Sequence, residues 1–591
     1  MEIARILYPC TISLNIVIEE KLKNYLQQIY PEKNADELAS RIVRTFWPEY
    51  TAPKTEGRIA DNNLWSQKDS VLITYGDSIL DRQHKPLDLL RDFLLDRLRG
   101  VVNSVHILPF FPFTSDDGFA VTDFEKVNPN LGAWEDITRI TEDFQLMSDL
   151  VLNHVSSQGK WFVDYRQGHD PYDKFFYEGS PNDDLSATVR PRTTPLLQAI
   201  ETNQGERHVW CTFSHDQIDL DYTNPEVLLE MIRIIRLHID KGIRIIRLDA
   251  VAFLWKEPGT SCIHLPQTHA IIKLLRVLTD HAEEDVFLLT ETNVPKAENL
   301  SYFGQRNEAH IIYNFPLPPL ILHALLAGTA KHLTDWQTAM PPAPMGCSYL
   351  NFTASHDGIG MRPVEGLLPE DEIDRMVHTV VAQGGKASMR SMPDGSESIY
   401  ELNSTYFDAM SKTFAGNEEH HLQRFIASQT IVMSLEGIPA FYIHAMLATP
   451  NDQDGVVKRK MNRAINRHRW DYPSLRAKLA DANSNQVKVL AALSEQLRLR
   501  SRQPAFHPNA TQFTLRIDDR VFIVWRQSLD RSQSIFALHN VSAEHIDVPL
   551  EKLNLIADEH WMDLLSGQVL ADGITHLQLA PYQCCWITNR T

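Results

Sequence analysis

The 591-residue chain is poor in cysteine and poor in positive charge, and it has no long apolar run. Its six cysteines are Cys10, Cys211, Cys262, Cys347, Cys584 and Cys585. They form no Cys-x-x-Cys pair, and most sit among apolar neighbours. That speaks against a disulfide framework and for free thiols in a reducing compartment. Lys and Arg number 57 against 76 Asp and Glu, a formal charge of −19. Nucleic acid and anionic membrane surfaces both demand basic patches, so neither is an expected partner. No segment is long enough to cross a bilayer. The stretch "ILYPCTISLNIVI" (6–18) is apolar, but Pro9 and Asn15 interrupt it. Glu19, Glu20 and Lys21 follow it without a small-residue cleavage site, so it does not read as a secretion signal. The cytoplasm is the expected location. Internal repeats and low-complexity tracts are also missing.

What is present is a globular composition, 43% hydrophobic and 23% charged. The length predicts two to four domains and allows a large core. Residues 19–48 carry helical spacing, and 51–70 are polar with Pro53 and Gly57. Residues 1–70 therefore read as a helical extension and linker. Eight short apolar runs follow: 71–75, 104–110, 146–154, 243–249, 286–292, 309–315, 349–357 and 438–444. Helical segments separate them. Near-continuous apolar strands alternating with helices predict a parallel sheet covered on both faces, and eight such units predict a (β/α)8 TIM barrel over 71–505. Two gaps exceed one helix. The first, 155–240, is polar and rich in Pro, Asp and aromatic residues; the second is 358–425. They read as inserted subdomains after strands 3 and 7, at the C-terminal rim where barrel enzymes place their sites. From 506 to 591 the pattern changes to short strands, which predicts a small all-β domain.

Polar residues gather where the runs end. Run three ends with Asn153 and His154, run four with Arg247 and Asp249, run five with Glu291, and run seven with His356 and Asp357. Residues two apart on a strand share a face, so Arg247 and Asp249 point the same way. Arg244, three residues before Arg247, has the phase of the helix layer. A single Arg–Asp pair is most simply a structural ion pair. Three carboxylates gathered at the ends of nearby strands are not explained that way, because each repels the others and loses hydration.

That constellation suits glycoside cleavage with retention. One carboxylate attacks the anomeric carbon, and a second, kept protonated, serves the leaving oxygen; the two lie ~5 Å apart. Asp249 beside Arg247 suits the ionised nucleophile. Glu291, at the end of an apolar run, suits the acid with a raised pKa. Asp357 would stabilise the oxocarbenium-like transition state. His154 and His356 are expected partners for sugar hydroxyls, or else satisfied core histidines.

At these residues the chain resembles a known family. "DLVLNH", "IRLDAVAF", "TETN" and "ASHDGIG" resemble the four conserved regions of the α-amylase superfamily in order and spacing. "HILPFFPFTSDDGFAV", "RPRTTPLL", "FSHDQIDLDYTNPEVL", "KEPGTSCIHLPQTH" and "LPPLILHAL" resemble its sucrose phosphorylase subfamily. Within that group, the N-terminal extension and "PDGSESIYELNSTYFDAM" are most similar to glucosylglycerol and glucosylglycerate phosphorylases. The resemblance implies Asp249 as nucleophile, Glu291 as acid/base and Asp357 as stabiliser, with Arg247, His154 and His356 lining the glucose subsite. It also implies that Asp116 and Arg500 pair to close that subsite. No metal or other cofactor is expected, although Asn153 belongs to a segment that helps bind calcium in many amylases. Inorganic phosphate is the expected co-substrate. Arg190, Arg192 and Arg390 are the candidates to bind it, since the Arg fork matches phosphate. Tyr400, Glu401 and Asn403 are expected near the leaving group. Glu401 would favour a neutral acceptor such as glycerol, so glucosylglycerol is the first expected substrate and glucosylglycerate the second. Sucrose or sucrose phosphate is the alternative, as is hydrolysis or transglucosylation at the same site.

Overall fold

A computed structural model of the chain describes residues 18–48, 64–391, 397–553, 560–571 and 573–590. Cys10, the apolar stretch up to residue 17 and most of the 51–70 linker lie outside the described residues. Each of the eight apolar runs contains a strand: β1 (Val71–Thr74), β2 (Ser104–Ile107), β3 (Gln145–Val151), β4 (Ile243–Asp249), β5 (Phe287–Thr290), β6 (Ile311–Tyr313), β7 (Ser348–Asn351) and β8 (Ile438–Tyr442). All neighbours pair in parallel, and β8 pairs back to β1, which closes the barrel. Helices cover the outside, among them Pro86–Arg97, Pro225–Asp240, Pro266–Asp280 and His421–Ser434. Strands β1, β2 and β5–β8 are buried at every position, which explains why they read as continuous apolar runs without alternation.

Three departures from plain barrel geometry matter for the site. Between β3 and Pro225–Asp240, strand His154–Ser156 pairs with Gln217–Asp219, and a hairpin joins Leu197–Thr202 to Gly205–Trp210. After β7, Ile359–Gly360, Glu397–Asn403 and Lys386–Ser391 form a three-stranded sheet. Both structures rise from the C-terminal ends of barrel strands. Finally, an antiparallel sheet built on Thr511–Leu515, Val521–Gln527, Ser534–Asn540 and Cys584–Thr588 forms the all-β C-terminal region.

The N-terminal helix Ala35–Phe46 is capped by Asn34, whose side chain accepts from the amides of Asp36 and Glu37. It buries Leu38, Ala39, Ile42 and Phe46. Its Arg41 grips Glu226, on Pro225–Asp240, with two bonds of 2.8 and 2.6 Å. Among the described residues no helix is long and apolar enough to cross a membrane. The five described cysteines are free, and four of them are buried.

Candidate active site

Strand register brings the charges together. Parallel pairing sets Asp149 of β3 opposite Arg247 of β4, and Val151 opposite Asp249. On the other side, Thr290 of β5 pairs with Leu248. Glu291 is the next residue on, so it falls level with Asp249 on the neighbouring strand. Adjacent strands lie ~4.8 Å apart, which is the scale needed for two carboxyl groups flanking one glycosidic bond. The chain then turns sharply. Ala250 adopts a left-handed conformation, φ 50°, and its amide donates to Glu291 Oε2 at 3.1 Å. A non-glycine residue held there stores of order 1–3 kcal/mol of strain. Here the strained peptide fixes one oxygen of Glu291.

Arg247 is buried and shared. Its Nη1 donates to Asp249 Oδ1 at 2.7 Å and to Asp149 Oδ1 at 2.5 Å. Asp149 also bonds His106 Nε2 at 2.7 Å. Burial would raise the Asp149 carboxyl, but His106 and Arg247 outweigh it and hold it below the usual carboxylate range. Burial raises both Asp249 and Glu291; Arg247 opposes the rise in each, and Glu291 adds to it at Asp249. Arg247 bonds Asp249 directly, while Glu291 accepts from the Ala250 amide, so the two carboxyl groups differ in their partners.

Asp357 sits under a different guanidinium. Arg463 Nη1 lies 2.6 Å from its Oδ1, and Arg467 Nη2 lies 4.0 Å away. Burial would raise its pKa, but Arg463, Arg467, Arg247 and Arg192 together lower it, so it is ionised. His356 stacks flat on Phe119, with centroids 4.8 Å apart. His154 bonds the Phe119 carbonyl and Gln217, and burial pushes it down to about 4, so it is neutral near pH 7. Asp249, Glu291, Asp357, Arg247, His154, His356, Asp116, Arg192, Tyr400 and Glu401 all line one cavity at the C-terminal mouth of the barrel.

The expected Asp116–Arg500 pair does not form. Arg500 is buried at the end of helix Asn485–Arg500, where it donates to the carbonyls of Met433, Gln67 and Phe506. It knits chain segments together and does not line the cavity. Arg467 takes the expected place. Its Nη1 lies 2.9 Å from Asp117 and 3.5 Å from Asp116, and its Nε donates to the His356 carbonyl at 2.9 Å. Asp116 and Asp117 both hold left-handed backbone, φ 52° and 48°, which turns the two carboxylates onto one guanidinium. Of the three, Asp116 lines the active-site cavity, and Asp117 and Arg467 stand behind it.

Other expected residues are placed differently from one another. Arg192 lies over the Tyr400 ring at 5.0 Å and the Phe213 ring at 5.8 Å, at the cavity edge. Arg190 and Arg390 line an adjoining hollow that shares Glu291, Asn293, Phe213 and Tyr400 with the first. Glu401 is locked by Arg463 through two bonds of 2.9 Å. The same guanidinium also pairs Asp357, so Arg463 bridges the two carboxylates. Asn403 is fully buried, donates to Ser388 Oγ at 2.8 Å and does not line the cavity.

Arg463, Arg467, Asp117 and Asp149 were not singled out in the sequence. The signal for the two arginines is nevertheless visible: residues 458–469 hold six Lys or Arg and no acid, in a chain of charge −19. That stretch follows β8, at the same rim as the carboxylates.

Chain similarity fits this geometry. The α-amylase catalytic-domain model matches residues 95–358. A glucosylglycerate phosphorylase of Spirochaeta thermophila is 43% identical over 88% of this chain and 90% of its own length. The chain belongs to the glycoside phosphorylases of the α-amylase family. A glucosylglycerol phosphorylase of Marinobacter adhaerens is 30% identical over 69% of this chain and 83% of its own. Among solved structures, the sucrose 6F-phosphate phosphorylase of Thermoanaerobacter thermosaccharolyticum superposes with a TM-score of 0.70 at 25% identity, covering 80% of this chain and 94% of that one.

In this phosphorylase a lysine occupies the ground between Asn153 and Asp219. Lys256 Nζ lies 2.8 Å from Asn153 Oδ1 and 3.0 Å from Asp219 Oδ2, all three residues being buried. A built-in ammonium thus supplies positive charge where the segment turns. Replacing it with methionine leaves Asp219 buried without its cation, though Thr212 and Asn153 still donate to it. The expected loss is about 3 kcal/mol of stability. A urea melt of Lys256→Met with an unchanged midpoint contradicts this.

Proposed function

We propose that this enzyme is a retaining phosphorylase that converts an α-glucoside of glycerate, plus phosphate, into α-glucose 1-phosphate and free glycerate. The observation that carries the choice of acceptor is the hollow beside Glu291. Arg190, Arg362 and Arg390 line it, and Glu291 is its one carboxylate among the described residues. An arginine-lined hollow in so acidic a chain favours a charged acceptor over glycerol. The identity of 43% to a glucosylglycerate phosphorylase, against 30% to a glucosylglycerol phosphorylase, supports the same choice. The preference for glycerol rested on Glu401, whose carboxylate is held by two bonds from Arg463.

The residues divide the work as follows. Asp249 attacks C1 of the glucosyl unit, and the bond from C1 to the acceptor oxygen breaks as Glu291 gives that oxygen its proton. Arg247 holds Asp249 ionised and oriented. Asp357 faces the positive charge that develops on the ring. Phosphate then attacks C1 from the vacated side, its proton passes to Glu291, and the C1–Asp249 ester breaks. Two inversions give net retention. The wall of Asp116, Asp117 and Arg467 limits the pocket to one terminal glucose. Phosphate is a co-substrate, and the scheme calls for no metal or other cofactor.

Glucosylglycerate, glucosylglycerol and sucrose, each incubated with and without phosphate, test this reading. Glucose 1-phosphate is expected fastest from glucosylglycerate and only with phosphate present. Free glucose at equal rates in both arms identifies a hydrolase instead.

A further inference from the structure

One carboxylate of the first insert has no part in the chemistry above. Asp216 is half-buried and stands just before the strand Gln217–Asp219. Among the described residues, every side-chain partner it has is a hydroxyl. Its Oδ2 accepts from Thr114 Oγ1 at 2.6 Å and from Ser115 Oγ. Its Oδ1 accepts from Ser157 Oγ at 2.7 Å and from Ser156 Oγ at 3.4 Å. A carboxylate offers about four acceptor positions, so the hydroxyls fill them. Thr114 Oγ1 and Ser156 Oγ also meet at 2.6 Å, and the Ser157 amide donates to the Asp216 carbonyl at 2.8 Å. A group so occupied has little left for a ligand. Its importance lies in what it ties together.

Three chain segments meet on Asp216, and each carries a residue that lines the glucose cavity. Ser115 is followed directly by Asp116. Ser156 shares the strand His154–Ser156 with His154. Asp216 is followed by Gln217, which pairs with Ser156 across the strand ladder and sets its Nε2 3.1 Å from His154 Nε2. Asp116 needs such support most. It holds left-handed backbone, φ 52°, which persists in a non-glycine residue only where the surroundings over-determine it. Arg467 holds the turn by its carboxylates, and Asp216 holds the two residues that lead into it. In a pyranose, C4 lies across the ring from C1. With C1 at Asp249, a wall that stops the pocket after one glucose stands at the C4 end.

We propose that Asp216 is the positioning residue of the glucose pocket. Through Thr114, Ser115, Ser156 and Ser157 it fixes Asp116, His154 and Gln217 relative to one another, and so sets selectivity for the C4 hydroxyl. This role rests on the phosphorylase reading above and does not depend on the acceptor. Asp216 touches no reacting atom. It serves binding of the glucosyl unit in the ground state and the transition state alike, and loss of such binding raises KM while leaving kcat near its wild-type value.

Exchange of labelled phosphate into α-glucose 1-phosphate, catalysed by full-length enzyme, isolates the half-reaction that needs no acceptor. In the wild type, free glucose is expected to inhibit this exchange more strongly than 4-deoxyglucose does. Asp216→Asn keeps one acceptor oxygen and turns the other into a donor. In that variant the inhibition constant of glucose and the KM of α-glucose 1-phosphate should each rise roughly tenfold, the scale of a hydrogen bond lost to a charged group. The kcat, the KM of phosphate and the inhibition constant of 4-deoxyglucose should change little, so the gap between the two sugars closes. Two sugars compared on one sample report the pocket, whatever fraction of the protein is folded. Ser115→Ala, which cuts only the link beside Asp116, should act in the same direction by a smaller factor and add nothing in the Asp216→Asn background. Equal weakening of both sugars, or a lower kcat with the gap intact, means a merely structural role and overturns the positioning role. A wild type that binds both sugars equally overturns it too, as does a Ser115→Ala factor that multiplies in full. If the wild type exchanges no phosphate, the phosphorylase reading fails and the role of Asp216 with it. If it does and Asp216→Asn keeps the gap, that reading stands and the role of Asp216 alone fails.

Discussion

Replacing Asp249 with alanine lowers turnover by at least about 10⁴-fold, with the fold retained. In the proposed mechanism this carboxylate carries the glucosyl unit between acceptor and phosphate, and no neighbour is placed to substitute for it. Glu291 is the proton donor in that mechanism, and Asp149 is turned away onto His106 and Arg247. The fold survives because the substitution removes one of two carboxylates that share a single guanidinium; Arg247 keeps Asp149. Circular dichroism and the phosphorolysis rate, measured on the same sample, decide the matter. Activity within tenfold of wild type refutes the role of nucleophile.

Arg467→Ala is expected to remove activity and about 5 kcal/mol of stability together. Arg467 is 2% exposed and faces both Asp116 and Asp117. Without it, two carboxylates remain near each other in the wall, with Arg459 still 3.1 Å from Asp117. The pH dependence carries a further signature. Burial raises the Asp117 carboxyl, but Arg467 and Arg459 outweigh it, so its pKa in the folded protein lies below the ordinary value. It therefore stabilises the fold above its unfolded pKa, and that contribution is lost as pH falls through the folded pKa. Removing Arg467 shrinks the gap, so the acid-unfolding midpoint of the variant moves to higher pH. A chemical-denaturation series from pH 3 to pH 7 reads both effects. A variant as stable as wild type across that range contradicts the account of the wall.

The barrel was legible because its strands are buried on both faces and so spell themselves as apolar runs separated by helices. Asp249, Glu291 and Asp357 were legible for the opposite reason: a charge at the end of such a run is costly unless it has a task. What escaped was long-range pairing. Asp149 lies inside the same strand that ends in His154, but its partnership with Arg247 depends on the register between β3 and β4, which no local pattern reveals. The back wall shows the same limit. Arg500 and Arg467 are both arginines downstream of β8, and composition alone does not say which one reaches Asp116. Helix Asn485–Arg500 carries the first away to the backbone carbonyls of other segments, and the short turn Asn462–Asn466 delivers the second. The partnership of Glu401 with Arg463 is likewise long-range and could not be read from the sequence.

The register that aligns Asp149, Arg247, Asp249 and Glu291 has a consequence for how the enzyme comes to life. These groups sit on three neighbouring strands, and the stretch from Asp149 to Arg247 alone encloses nearly a hundred residues. Contacts so distant along the chain form late, since loop closure must come before they are rewarded. The hairpin, the C-terminal sheet and most helices can be in place while the site does not yet exist. Recovery of activity during refolding is thus a reporter of barrel closure itself, and it should lag behind the return of helical signal.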